Sequence, residues 1–167
     1  VSVSNSLREE LTRTYGLDQN NMSVIHTCVN IAELESASSN RSRNCTSNVE
    51  LFYSGRLYFR KGVSELVRIV RHIVSDFGIT NFDLQIFGSG PLERPLREHL
   101  ARHGLERNIK LRGHVPRRIL LAGLADSDIV CVPSLYEACP VAVIEAMAMG
   151  KPVVAFDVPF AREMLQE

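Results

Sequence analysis

The chain has 167 residues, 45% of them hydrophobic and 23% charged, the size and mixture of one globular domain with a sizeable core, which excludes a disordered or fibrous chain. Lys plus Arg and Asp plus Glu each number 19, so no net field draws the protein onto nucleic acid or an anionic membrane, and any anion must be held by a local cluster. The longest apolar run, around "AVIEAMAMG", is interrupted by Glu145 and is far too short to span a bilayer.

In chain order, Asn5 to Tyr15 predicts a short helix, "MSVIHTCVN" reads as strand-like, and a link from about Ser36 to Asn48, rich in Ser, Asn and Arg, reads as a loop. "VELFYSGRL" is rich in β-formers and stops at a glycine, as a buried strand feeding a loop does. In "SELVRIVRHIVSDFG", Leu66, Ile69, Val70, Ile73, Val74 and Phe77 repeat at three and four, which predicts one helical face closed by Gly78. The strand "DLQIFG" follows, then "PLERPLREHLARHG", with Leu92, Leu96 and Leu100 every four residues and Gly104 at the end. Strand "IKLRG", helix "RRILLAGLADS", strand "DIVCVP", helix "VAVIEAMAMG" and strand "PVVAFD" continue the alternation, and a last helix starts at about Pro159. Strands of continuous Val and Ile without polar alternation require cover on both faces, so the expected fold is α/β, a Rossmann-like doubly wound parallel sheet with helices on both faces.

In such sheets a ligand sits beyond the carboxyl ends of the strands. After the first strand stand Gly55, Arg56, Arg60, Lys61 and Gly62; a guanidinium and an ammonium in one loop suit a dianion, because Arg forks two oxygens and Lys adds a movable point charge. After the second stands "GSGP", Gly88 to Pro91, whose glycines let backbone approach a ligand; after the third, "GHVP"; after the fourth, "PSLYEACP". Pro140 suits the first position of the next helix. Glu137 then lies in the loop before it and Glu145 in its second turn, where side chains lean toward the N-terminus and both acids face one mouth. Free amides at a helix start favour phosphate, whereas carboxylates fit hydroxyl donors. Together they describe a sugar on one side, a ribose on the other and a diphosphate between. Next to an apolar helical face containing Ile144, Met147 and Ala148, an unpaired Glu145 would be costly.

The motifs "SGRLYFRKG", "IFGSGP", "LRGHVP", "ADSDIVCVPSLYEACP" and "VIEAMAMGKPVVAFD" resemble, in order and spacing, the C-terminal, nucleotide-sugar-binding half of the retaining glycosyltransferases of family 4, which have the two-domain GT-B fold. "VSVSNSLREEL" resembles the segment where that family's chain leaves the N-terminal domain. The resemblance implies that Arg56 and Lys61 hold the donor diphosphate, that Val115 and the turn from Gly88 to Gly90 flank the base, that Glu145 binds ribose hydroxyls and that Glu137 holds the transferred sugar. Glu137, Arg56 and Lys61 are then the candidate catalytic residues. No metal and no cofactor is expected: the donor is a nucleoside diphosphate sugar, and the cationic side chains with the helix start neutralise the departing diphosphate. The family often carries a Gly-aromatic-Gly loop where this chain has Ala138, Cys139 and Pro140; Pro140 has no N–H to give, which leaves the Val141 amide as the phosphate donor. "VIHTCVN" likewise departs from the family's usual Val-Ile-Pro-Asn-Gly-Val-Asp.

The expected organisation is a lead-in segment and polar linker over 1–48 and a nucleotide-sugar-binding domain over 49–167, cut short at its C-terminal end and lacking the acceptor-binding N-terminal domain. The acceptor, a glycan, lipid or small molecule, is then a partner of that domain, through which peripheral membrane association stays open, and this fragment alone is expected to be inactive. Four cysteines at 28, 45, 131 and 139 form no metal-type pair and read as reduced cytosolic thiols, consistent with a cytoplasmic protein. Glycosylation-type triplets beginning at Asn21, Asn40 and Asn44, with nothing like a signal peptide ahead of them, read as chance matches. A dinucleotide-dependent oxidoreductase is disfavoured because "GSGPLE" lacks the third glycine and the position where an acid belongs is Lys110. A glycoside hydrolase could use Glu137 and Glu145 but would not need Arg56 and Lys61. Another GT-B enzyme, such as an epimerase, and a non-catalytic nucleotide-binding module remain as alternatives.

Overall fold

In the computed structural model, which describes residues 1–39 and 47–165, five strands form one sheet. The strands are β1 (Val49–Ser54), β2 (Phe82–Phe87), β3 (Ile109–Gly113), β4 (Ile129–Val132) and β5 (Val153–Ala155), in the order β3-β2-β1-β4-β5 with every neighbouring pair parallel. The chain winds outward from β1 to β3, then returns to lay β4 against the free side of β1. That reversal leaves a crevice at the strand ends between β1 and β4, where doubly wound sheets hold ligands.

Seven α-helices are described: α1 (Asn5–Tyr15), α2 (Ile31–Ser39), α3 (Val63–Phe77), α4 (Glu93–His103), α5 (Arg117–Asp126), α6 (Val141–Ala148) and α7 (Pro159–Met164). Because side chains alternate across a strand, neighbours in β1 serve opposite layers. Tyr53 packs with Leu66, Val67 and Val70 of α3 and Leu96 and Leu100 of α4, whereas Phe52 packs with Leu121 and Leu124 of α5, Val143 and Ala146 of α6 and Phe160 of α7.

Several expectations are corrected. "MSVIHTCVN" forms no strand: its one ladder contact is an isolated bridge between Val24 and Ser2, away from the sheet. The link expected from Ser36 begins instead with helix α2, which buries Leu34 in the α5–α6 layer; that burial outweighs the poor helix propensity of its serines. The triplets at Asn40 and Asn44, and Cys45, lie outside the described residues. On α3 the covered strip is Val63, Leu66, Val67 and Val70, while Ile69 and Phe77 are exposed, since the sheet touches a narrower stripe than the apolar pattern suggests. Pro140 is the N-cap of α6 rather than its first residue, so Val141 carries the first amide.

Candidate functional site

The loop after β1 folds back onto the loop after β4 at Gly62, whose φ is 64°. A Cβ there would sit 1.7 Å from the Pro133 carbonyl oxygen, so only glycine permits the approach. The contact is fastened beside it, where Leu135 N donates to Arg60 O at 2.9 Å. The loop after β2 is joined in the same way. Gly88, with φ 127°, leaves no room for a Cβ against Gly55 O, at 1.9 Å, while its N donates to Gly113 O of the β3 end at 2.8 Å. Four strand ends are thus laced into one rim.

The rim encloses a cleft of about 370 Å³ lined by Arg56, Lys61, Gly88, Val115, Glu137, Val141 and Glu145. Gly90 does not line it: a Cβ there would lie 2.5 Å from Leu57 O, so this glycine serves close packing of the β2 loop against the β1 loop. The cleft also holds Gly55 and Ser134, which lie in the strand-end loops named from the sequence but were given no role there, and Tyr53 and Arg117, which the sequence reading did not single out, with His114 exposed at its mouth. Arg117 is legible in retrospect as a cation opening a helix just after a strand-end loop. Ser134 carries no such signal.

Two ion pairs organise the acids. The Lys61 ammonium contacts Glu137, whose Oε1 also accepts from Ser134 Oγ at 3.2 Å. Glu145 is 4% exposed, and Arg117 Nη1 lies 2.7 Å from its Oε1. Arg117 is in turn gripped from α2, its Nε donating to Glu33 Oε1 and Oε2 at 3.2 and 3.1 Å. Burial works against the guanidinium's charge, but the contacts with Glu145 and then Glu33 outweigh it and hold its pKa above the usual arginine value. Burial of Glu145 is as expected, although the reason differs: Val143 and Ala146 are its buried companions, whereas Met147 and Ala148 face outward.

Below the cations, Tyr53 Oη donates to the Arg56 carbonyl at 3.3 Å, steadying the loop that presents the guanidinium. Burial, and then the nearby Glu137 charge, push the phenol well above its usual pKa, so it stays a donor. Arg56 itself is exposed, its guanidinium carbon 5.7 Å from the Tyr58 ring centre. Cys131 also reaches the cleft, but burial pushes its thiol to about 11, which leaves it protonated and a poor nucleophile. Among the described residues no three or more His, Cys, Asp or Glu side chains are grouped to hold a metal ion, and no helix is long and apolar enough to cross a membrane.

The rim can therefore present two cations and a helix start to an anion, flanked by two carboxylates that suit hydroxyl groups. An uncharacterised glycosyltransferase of Methanocaldococcus jannaschii is 28% identical over 174 residues, taking in 99% of this chain and 44% of that protein. A glycogen synthase of Mycobacterium tuberculosis is 28% identical, with 95% of this chain and 37% of the relative covered. The solved structure of Anabaena HepE in complex with UDP and glucose shares the fold, with a TM-score of 0.81 at 21% identity over 99% of this chain and 46% of that one. The chain spans less than half the length of each of these relatives. The family model described as Glycosyl transferases group 1 matches residues 37–167, and the chain belongs to that family.

Proposed function

We propose that this chain is the donor-binding half of a retaining glycosyltransferase of family 4, which moves a sugar from a nucleoside diphosphate sugar to an acceptor held by a further domain. One observation carries the reading: Arg56, Lys61, Glu137, Val141 and Glu145, drawn from loops and a helix far apart in sequence, line a single cleft at the switch point of the sheet. In this reading Arg56, Lys61 and the Val141 amide take the diphosphate, and Glu145 accepts from the ribose hydroxyls. Glu137 turns toward the transferred sugar, and Gly88 and Val115 flank the base. Family membership and the UDP and glucose bound by HepE support a nucleotide-sugar donor and make UDP the first nucleotide to test.

The chemistry asked of these residues is stabilisation of a leaving group. As the bond between the anomeric carbon and the diphosphate breaks, negative charge grows on the phosphate oxygens, and preorganised cations with a helix N-terminus lower that barrier without rearranging. Lys61 must then divide its charge between Glu137 and the phosphate, which places the sugar-binding acid and the leaving group in one electrostatic unit. We place the parent enzyme in the cytoplasm, where nucleotide sugars are made. Its acceptor would be a glycan, lipid or small molecule, and contact with the cytoplasmic face of a membrane would run through the acceptor domain.

Titration calorimetry of the chain with UDP, GDP and ADP tests the site. Arg56→Ala and Glu145→Ala should each weaken the nucleotide that binds by about tenfold or more, as expected for loss of a charge-assisted contact. Unchanged affinity in both variants would remove the assignment.

A further inference from the structure

The buried acid of this cleft is not left to solvent, and the residue that neutralises it comes from elsewhere. We propose that Arg117, itself held by Glu33, is a positioning residue for the ribose end of the cleft, keeping the Glu145 carboxylate aimed at the bound nucleotide. This rests on the donor-site reading above and goes beyond it in assigning work to α5 and α2.

Glu145 lies on α6 among the buried residues Val143 and Ala146, where an unpaired carboxylate is costly. Both Lys61 and Arg117 face its cleft, but Lys61 is engaged by Glu137, and the guanidinium against Glu145 is that of Arg117, at 2.7 Å. Arg117 is the first residue of α5 and its side chain is 44% exposed, so nothing in α5 alone stops it from swinging into solvent. Glu33 does. Its two carboxylate oxygens hold Nε from the far side, leaving Nη1 directed at Glu145. Glu33 is fixed because α2 is anchored by Leu34 in the same core as Leu121 of α5 and Val143 of α6.

Placement matters for recognition. A ribose offers two neighbouring hydroxyl donors, and a carboxylate held beside them accepts from both. Removing Arg117 should therefore release the Glu145 carboxylate from its place in the cleft and weaken nucleotide binding.

The test is titration of the wild-type chain, Arg117→Met, Arg117→Lys and Glu33→Gln with UDP, GDP, ADP and inorganic pyrophosphate. The expected result is about tenfold weaker nucleotide binding by Arg117→Met, with pyrophosphate affinity unchanged. Arg117→Lys should restore most of the affinity, and Glu33→Gln should show a smaller loss. A nucleotide bound with equal affinity by the wild type and Arg117→Met would overturn the inference, and so would an equal loss of pyrophosphate binding. Failure of the wild type to bind any of the nucleotides, or unchanged binding by both Arg56→Ala and Glu145→Ala, would instead bring down the donor-site reading itself.

Discussion

Gly62→Ala is the most demanding test of how the cleft is assembled. The backbone there has φ 64°, which costs an L-residue about 1 kcal/mol. The new Cβ would also lie 1.7 Å from Pro133 O and 2.6 Å from Pro133 C, backbone atoms that cannot rotate away. Restoring ordinary contact requires the β1 and β4 loops to part by roughly 1.5 Å, which sacrifices the Leu135 to Arg60 bond, about 1 kcal/mol, and adds overpacking strain of about 1–3 kcal/mol. The total is about 3–5 kcal/mol. At about 2–4 °C per kcal/mol for a chain of this size, the melting temperature should fall by roughly 6–20 °C. Gly78→Ala is the control, since Gly78 has φ 65° with nothing within 4 Å of its Cβ, so only the conformational cost of about 1 kcal/mol applies. Thermal unfolding followed by circular dichroism gives both numbers. Equal melting temperatures for the two variants would refute the claim that the loops are clamped through Gly62.

Three further outcomes are expected. Glu163 accepts from the N–H groups of Asn5 and Ser6 at the start of α1; burial opposes its charge, but these bonds outweigh it and hold its pKa down at about 2, against an ordinary 4.5. Glu163→Gln should therefore cost about 1–2 kcal/mol at neutral pH, and because a lowered pKa contributes stability only above the unfolded value, the difference should fade as pH drops from about 5 toward 2 in urea unfolding series. Glu137→Gln frees Lys61 from its ion pair, so pyrophosphate should bind several-fold tighter by calorimetry while sugar transfer by the parent enzyme falls. At pH 8 iodoacetamide should label exposed Cys28 and leave Cys131 unmodified until the chain is denatured, as read by peptide mass spectrometry.

Much of the sheet was legible because β1, β2 and β4 carry buried apolar residues and each stops at a glycine or proline. "DLQIFG" and "DIVCVP" fall on β2 and β4 for that reason. The strand-end rule then led to Arg56, Lys61, Glu137 and Glu145, which the fold gathers into one cleft. What escaped notice depends on tertiary contact. Helix α2 is held by the burial of Leu34, and a local reading of its serines could not anticipate that. Gly88 and Gly90 stand in one "GSGP" turn, but Gly88 takes a positive φ and lines the cleft whereas Gly90 packs on the Leu57 backbone, a distinction that only the packing of two loops decides. The pairing of Arg117 with Glu145 joins α5 to α6 across the crevice, and no local spacing encodes it.

The central claim is that one rim grips a diphosphate between two carboxylates. A crystal structure of the chain with the nucleoside diphosphate that binds most tightly tests this directly. The account predicts phosphate density against Arg56, Lys61 and the Val141 amide, with the ribose hydroxyls on Glu145. Nucleotide density anywhere outside that cleft, or a ribose turned away from Glu145, would contradict it.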